Sequence, residues 1–399
     1  MNLNFKLLGS ILMILGTCVG VGMLALPIAA AKETFTFSLL LLMLAWLLMT
    51  VGAFAVLEVN LWFPAKTNLI SMAGTTLGRY GKYATWVIYL LLLYSLLCAY
   101  IASSSGVVQT LFKWIHLTIP HWSAVIIAVV LLGSIVYRGV RLVDLTTRGL
   151  MSVKLIAYLL IVIIIAPRIH LKHLLAGDTM FHMSTFMVMI TSFGYAIIIP
   201  SLRTYLKSRT SLLRRAVIVG SLLPLLIYFF WMLVIQGLIS KGGNHGLIHM
   251  READNTIGQL MITITYYLHN PWVESLANTF ISICAVTSFL GVALCLVDFI
   301  TDGLRLHNHT KKPFRIFIIT FLPPLLIVLW WPNIFISALS YAGVFCLVLL
   351  ALLPLLMLYS GRHIKKFSKK NHTWLSHATI LTIIIFVICM ILLAMFYKY

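Results

Sequence analysis

The chain has 399 residues, of which 61% are hydrophobic and only 10% are charged, and its mean hydropathy is +1.04. This composition excludes a soluble globular protein, because the residues of such domains are only about half apolar. Apolar runs of membrane-spanning length recur along the whole chain with no long polar stretch between them, so no room is left for a separate soluble domain.

Eleven apolar segments are long enough to cross a membrane as helices of about 20 residues. They are residues 7–31, 37–60, 84–112, 122–138, 149–167, 183–202, 215–239, 272–299, 314–331, 334–359 and 374–397. Because this number is odd, the two termini are predicted to lie on opposite sides of the membrane. The apolar run of the first segment is longer than the core of a signal peptide, so we expect this segment to be retained.

Lysine and arginine residues predict the orientation, because cytoplasmic loops hold the excess of positive charge. With the N-terminus inside, 21 of the 29 basic residues lie in the inner segments or at the span ends beside them, seven lie in the outer segments, and only Lys154 lies in the interior of a span. The sequence therefore predicts a multi-pass protein with a cytoplasmic N-terminus and its C-terminus outside. This topology explains the net charge of +20 without a nucleic-acid partner.

The first span contains LGTCVGVGMLALP, which is weakened as a helix where a lipid-spanning helix would be most regular. Gly16, Gly20 and Gly22 lower the helix propensity, and Pro27 removes a backbone donor. In hydrocarbon, a broken backbone survives only when it is buried in protein or lines a cavity. Because Gly16 and Gly20 also form a GxxxG pattern, close helix packing is the alternative explanation.

The sixth span, in MITSFGYAIIIPSLRTYL, repeats this feature with Gly194 at its centre and Pro200 six residues later. Broken spans at corresponding positions of two halves are typical of transporter binding sites. Spans 1 and 6 run in opposite directions across the membrane. We therefore predict an inverted repeat of spans 1–5 (about 7–167) and 6–10 (about 183–359), with an extra helix at about 374–397.

The two breaks predict the chemistry of a ligand. Backbone N–H groups at a half-helix N-terminus near Gly22 and Met23 can hold a carboxylate with the help of the helix dipole. Carbonyls freed between Thr191 and Gly194 suit an ammonium group. A small molecule with both groups is an amino acid, so the sequence predicts an amino acid carrier.

Three charged residues within the spans or at their cytoplasmic ends are candidates for a function. Lys154 is about six residues into span 5, where either its ammonium reaches the interface or the residue is functional. Glu58 ends span 2 and Asp298 ends span 8, both beside the cytoplasm. We expect these two carboxylates to pair with nearby basic residues, and a role in an inner gate is the alternative.

Four aromatic residues lie on spans that would surround a central site. They are Tyr94, Tyr100, Phe289 and Tyr341. Their rings could stack on an aromatic ligand at offset or edge geometry. Packing between helices is the alternative for each of them.

No metal site is predicted. His307 with His309, or His245 with His249, could bind a metal ion, but solvated loop histidines are the favoured interpretation. The six cysteines all lie within apolar spans without a CxxC pair, so they are expected to be ordinary packing residues.

Stretches from nearly the whole chain resemble one known family of transporters. In the family's order, they are LGTCVGVGMLALP, FPAKTNLISMAGTTLGRYG, ITSFGYAIIIPSLRTYL, TSFLGVALCLVDF and ITFLPPLLIVLWWPN followed by ALSYAGV. By these motifs the chain resembles the hydroxy and aromatic amino acid permeases, within the amino acid-polyamine-organocation superfamily. The resemblance implies an all-α fold of the leucine-transporter type with eleven helices. It also implies proton-driven uptake across the bacterial inner membrane, without any cofactor.

The resemblance also implies roles for individual residues. The carboxylate side of the site would comprise Thr17, Gly20, Gly22 and Met23, and the unwound part of span 6 would comprise Ser192, Phe193 and Gly194. Lys154 would face the carbonyls of the first break and the hydroxyls of Thr287 and Ser288, where sodium-driven relatives bind sodium. Alternate protonation of the Lys154 amine would then link a proton to opening and closing.

One departure from the family pattern affects the expected substrate. After Phe-Gly the family usually has an aromatic residue, a histidine and a small residue, whereas this chain has Tyr195, Ala196 and Ile197. Losing the imidazole and gaining isoleucine makes this wall more apolar, which could favour phenylalanine, tryptophan or a large aliphatic amino acid. Tyrosine stays the leading substrate.

Two other classes of membrane protein fit the sequence less well. An enzyme would need converging acid, base, nucleophile or metal groups, and the spans offer only Lys154 with the peripheral Glu58 and Asp298. A channel would need rings of carbonyls or charges. Because Thr287 and Ser288 could also help to bind sodium, sodium coupling stays open. The expected partners are the amino acid and membrane lipid, and the sequence leaves the oligomeric state open.

Overall fold

The computed structural model describes residues 3–65, 67–268, 270–303, 314–367 and 376–396. This part of the chain is almost entirely helical, and its only extended pairing is a single bridge between Glu33 and Asp178. The helices, in chain order, are α1 (Leu3–Cys18), α2 (Val21–Ala29), α3 (Phe35–Leu61), α4 (Leu69–Trp114), α5 (His121–Tyr137), α6 (Val140–Ile165), α7 (Leu171–Leu175), α8 (Met183–Ser192), α9 (Ile199–Tyr205), α10 (Thr210–Leu238), α11 (Leu247–Glu252), α12 (Thr256–Leu268), α13 (Pro271–Gly303), α14 (Phe314–Trp330), α15 (Phe335–Cys346), α16 (Leu353–Tyr359) and α17 (His377–Phe396).

Helices occupy all eleven segments that the sequence predicts as spans. Among the described residues, eight helical segments are long and apolar enough to cross a membrane, and the bent pair of α1 and α2 makes a ninth. Helices α5 and α14 fill two further predicted spans with 17 residues each. The predicted helical membrane class is therefore confirmed, while the count of eleven crossings stays a prediction.

Some helices extend beyond the predicted spans, because their ends carry polar residues that do not belong to an apolar run. Helix α4 begins at Leu69 rather than at residue 84, and it bends at Gly78, where φ is +82°. Helix α6 begins at Val140 rather than at residue 149. The 13-residue α12 was not predicted, since it is too short to give a span-length run.

Two halves of the interrupted helices, α2 and α8, lie inside the bundle. Helix α1 packs on α10 and α2 packs on α8, while α13 packs on both α4 and α6. Every residue of α2 and of α8 is buried. A helix that is apolar all round is stable only when protein or lipid covers every side, and here protein does so.

The bundle has two ends, which we name by their acidic residues. The Glu33 face holds the connection from α2 to α3, together with residues 176–182 and 240–255. The Glu58 face lies at the other end of α3, about 40 Å away at 1.5 Å per residue.

Candidate functional site

The first break separates α1 from α2 and bends the chain by 52°. Gly20 is buried at the break, and a Cβ atom added there would collide with the hydroxyl of Ser288 on α13. That hydroxyl accepts a hydrogen bond from the backbone N–H of Val21, at 3.0 Å. Ser288 therefore caps the start of α2, and it can do so because residue 20 has no side chain.

The second break separates α8 from α9. Helix α8 ends at Ser192, a tighter helical turn covers Gly194–Ile198, and α9 begins with a proline in its first turn. Proline is tolerated there because the first N–H groups of a helix have no partner within that helix. A Cβ atom added to Gly22 would lie 3.1 Å from the Ser192 hydroxyl, so the two breaks approach each other closely.

Lys154 of α6 reaches the first break. Its Nζ donates to the carbonyl of Val19 at 2.7 Å and lies 3.4 Å from the hydroxyl of Thr287 on α13. The residue is only 1% exposed, so the amine does not reach an interface. All nine acidic residues of the chain are described, and none pairs with Lys154. Among the described residues, the hydrogen-bond partners of the amine are this carbonyl and this hydroxyl.

Tyr228 of α10 is a residue of the site that the sequence analysis missed. Its hydroxyl oxygen lies 2.7 Å from the carbonyl oxygen of Cys18 and 2.8 Å from that of Ser192, at the ends of α1 and α8. Its ring packs on that of Phe193, with the ring centres 5.1 Å apart. Nothing in the stretch LIYFFWM distinguishes Tyr228 from a packing residue.

Three predicted aromatic ligands lie against other helices. The Tyr94 hydroxyl donates to the carbonyl of Ile319 in α14 at 2.7 Å. The Phe289 ring stacks on that of Phe321, also in α14, with ring centres 5.9 Å apart. The Tyr195 hydroxyl lies 3.1 Å from that of Thr50 in α3. Their roles as ligands stay predictions.

Helix α14 can accept the hydroxyl of Tyr94 because proline interrupts its hydrogen bonding. Pro323 has no N–H to donate, so the carbonyl four residues earlier, that of Ile319, is free for another donor. Tyr341 of α15 was also predicted to stack on a ligand, and its side chain is 49% exposed. Tyr100 of α4 is half-buried, and its role as a ligand stays a prediction.

The two halves of the first broken helix differ in burial. Thr17 and Gly16 of α1 are exposed, whereas α2, which contains Met23, is fully buried. The Thr17 hydroxyl donates to the carbonyl of Ile14 in its own helix, at 2.7 Å. Protein therefore covers α2 on all sides and leaves part of α1 exposed.

The Glu33 face is closed over α2. The fully buried carboxylate of Glu33 lies 3.1 Å from Nδ1 of His182, and Lys241 donates to the Glu33 carbonyl. Arg251 donates to the Ala29 carbonyl at 2.8 Å and to the Ser184 hydroxyl at 2.5 Å. Burial lowers the pKa of Lys241 to about 8, although two nearby carboxylates oppose this effect.

An ion pair joins two helix ends at the Glu58 face. Nε and Nη2 of Arg362 donate to the Glu58 carboxylate at 2.6–2.9 Å. This contact confirms the predicted pairing with a basic residue, and the gate role of Glu58 stays a prediction. Nearby, Arg203 donates to the carbonyls of Asn60 and Phe63. Asp298 is exposed.

Replacing Arg362 by alanine should destabilise the protein by about 2–4 kcal/mol, because it leaves the carboxylate of Glu58 partly buried without its ion-pair partner. The matched control is Arg148→Ala, which breaks an exposed pair with Asp144 and should cost under about 1 kcal/mol. Thermal unfolding in detergent compares the two variants. Equal shifts in melting temperature would show that the Glu58 pair stabilises the protein no more than the exposed pair does.

The structure describes one of the two candidate histidine pairs, His245 with His249. The ring of His245 stacks on that of Tyr266, with centres 4.3 Å apart. His307 and His309 lie outside the described residues. Within the described ranges, no group of three or more His, Cys, Asp or Glu side chains is arranged to hold a metal ion.

Comparison with known proteins gives matches over nearly the whole chain. The sequence profile of the tryptophan/tyrosine permease family matches residues 4–394. The chain is 31% identical over 369 residues to tyrosine-specific transport system 2 of Haemophilus influenzae, covering 90% of this chain and 89% of that protein. It is 28% identical to a tryptophan-specific transport protein of the same organism, covering 92% and 90%. Glutamine transporter 2 of Aliivibrio fischeri is 29% identical, covering 93% and 92%.

Proposed function

Because this chain belongs to the tryptophan/tyrosine permease family, we propose that it imports an aromatic amino acid, with tyrosine favoured, by proton symport. The family and the relatives are transport proteins, so the chain is a transporter and not an enzyme. Two tyrosine-specific relatives, at 31% and 30% identity, support tyrosine as the leading substrate.

The proposed architecture has eleven spans in the bacterial inner membrane. Spans 1–5 and 6–10 form the inverted repeat, and α17 is the extra helix. The distribution of lysine and arginine supports a cytoplasmic N-terminus and a C-terminus outside. In this orientation the Glu33 face is periplasmic and the Glu58 face is cytoplasmic.

The two breaks form the proposed substrate site. The N-terminus of α2 presents the N–H groups of Gly22 and Met23, which suit the carboxylate of an amino acid. Carbonyl oxygens at the ends of α1 and α8 suit its ammonium group. Because the Glu33 face is closed and part of α1 is exposed, the structure fits a state of the alternating-access cycle in which the periplasmic route is shut.

Lys154 is the proposed coupling residue, and its contacts are the observation that supports the proposal of proton symport. The amine contacts a carbonyl oxygen and a hydroxyl oxygen. Oxygen atoms of these two kinds are also the ligands that a sodium ion would take. The protonated amine makes charge-assisted hydrogen bonds that link α6 to the first break and to α13, whereas the neutral amine makes weaker, uncharged ones. Loss of the proton therefore weakens this link and favours the other state of the cycle.

Labelled tyrosine uptake into proteoliposomes tests the proposal, with the pH gradient and the sodium gradient varied independently. We expect an acidic exterior to drive uptake, and unlabelled tyrosine, phenylalanine and tryptophan to compete better than leucine or glutamine. Uptake driven by sodium alone would contradict proton symport.

The alternative substrate is a different large apolar amino acid. Ala196 is buried and Ile197 half-buried in the turn after Gly194, where the family pattern has a histidine and a small residue. A relative named as a glutamine transporter also supports variation in the side-chain pocket within this family. Strong competition by leucine with no tyrosine uptake would favour this alternative.

A further inference from the structure

We propose that Tyr228 is a positioning residue that brings the carbonyls of Cys18 and Ser192 together as acceptors for the ammonium group of the substrate. This inference rests on the proposed function, because it requires an amino acid at the two breaks. It adds a residue on a helix that is not itself broken. It also explains how the ends of α1 and α8 are held at one point.

The contact places three oxygen atoms around a single hydroxyl proton. The Tyr228 oxygen lies 2.7 Å from the Cys18 carbonyl oxygen and 2.8 Å from the Ser192 carbonyl oxygen. A phenol donates one hydrogen bond at a time, and each carbonyl oxygen has two lone pairs. The neighbouring Cys18 thiol adds only a weak donor. Acceptors therefore outnumber donors, which favours a cation with several N–H groups.

The surroundings fix the Tyr228 hydroxyl in this position. The side chain is completely buried, and its ring packs on that of Phe193 beside the second break. The hydroxyl cannot turn to water, so removing it leaves both carbonyls without this donor. Phenylalanine at position 228 would keep the ring packing and remove only the hydroxyl.

Tyr228 and Lys154 act on neighbouring carbonyls of the same break. Lys154 donates to Val19, and Tyr228 contacts Cys18, the preceding residue. The ammonium of Lys154 is a cation supplied by the protein, whereas the hydroxyl of Tyr228 is neutral. The carbonyls beside Tyr228 therefore have no cation from Lys154, and the ammonium group of an amino acid substrate can supply that positive charge.

The test compares Tyr228→Phe with Tyr158→Phe. Tyr158 is the control because it is also buried, and its hydroxyl donates to the Ile227 carbonyl at 2.9 Å rather than to a carbonyl of either break. For each variant, binding of tyrosine is compared with binding of 3-(4-hydroxyphenyl)propanoate, the same molecule without its amino group. Thermal unfolding in detergent identifies any variant that fails to fold.

We expect Tyr228→Phe to weaken tyrosine binding about 10-fold to 100-fold, because a carbonyl that is no longer positioned loses its hydrogen bond to the charged ammonium group. Binding of the analogue without an amino group should not change, so the preference for tyrosine over the analogue falls by the same factor. Tyr158→Phe should leave that preference intact. This preference is a ratio that a general loss of folded protein does not alter.

Two results would overturn the inference. The first is an unchanged preference in folded Tyr228→Phe, with both ligands weakened equally or neither weakened. The second is sodium-dependent tyrosine binding in the wild-type protein that becomes independent of sodium in Tyr228→Phe, since an inorganic cation would then use these carbonyls. If the wild-type protein takes up no aromatic amino acid, the proposed substrate is wrong. The same ratio is then measured with the amino acid that competes best and its analogue without an amino group.

Discussion

Replacing Lys154 by alanine should abolish the accumulation of substrate against its gradient while leaving exchange of internal for external substrate intact. The Lys154 amine is buried beside the carbonyl of Val19 and the hydroxyl of Thr287. Net uptake requires the empty carrier to return after the Lys154 amine has released its proton. Without the amine, no proton is bound at this position. Exchange requires only the substrate-loaded carrier to change state, so it should persist.

Two uptake measurements in proteoliposomes separate these outcomes. Accumulation is measured with an acidic exterior, and exchange is measured with unlabelled substrate inside and labelled substrate outside. Lys241→Ala is the matched control, because Lys241 is also a buried lysine that donates to a backbone carbonyl, but at the Glu33 face. An undiminished response to the pH gradient in Lys154→Ala would refute the coupling role.

The positions of the two breaks could be predicted because their causes are local. Glycine and proline weaken a helix wherever they occur, so Gly20, Gly194 and Pro200 indicated the breaks directly. The contact of Lys154 with the first break and with Thr287 was implied by the resemblance, and the structure places these groups together.

The direction in which each aromatic side chain points could not be predicted. A span that is apolar on all sides gives no periodic signal for the face that turns toward a central site. Tyr94 and Phe289 were chosen from their helices alone, and the structure shows both in contact with α14. Tyr228 was missed for the same reason, since one tyrosine among apolar neighbours carries no motif.

The closure of the Glu33 face also could not be predicted, because it joins segments that are far apart in sequence. Glu33, His182 and Lys241 come from three different connections between helices. Each residue alone is a polar loop residue, and only the packing of α2, α8 and α10 brings them together.

Replacing Gly20 by leucine should abolish transport, and Gly20→Ala should reduce it at least tenfold. Even one added Cβ atom meets the Ser288 hydroxyl, and that hydroxyl is the group that caps the start of α2 through Val21. Either the hydroxyl turns away and the cap is lost, or α2 shifts relative to α13. Loss of a cap costs about 0.5–2 kcal/mol, and a shift of α2 also moves the N–H groups proposed to bind the carboxylate.

A double-mutant cycle with Ser288→Ala tests this cause, because a Cβ atom at position 20 would lie 3.7 Å from the Cβ of residue 288, an ordinary contact. Ser288→Ala alone should reduce the uptake rate about twofold to tenfold through the lost cap. Once the hydroxyl is absent, adding Gly20→Ala should cost little more, so the double variant should transport as well as Ser288→Ala. Strictly additive losses would mean that the collision with Ser288 is not the reason for glycine. The close approach of α13 would then not control the geometry of the first break.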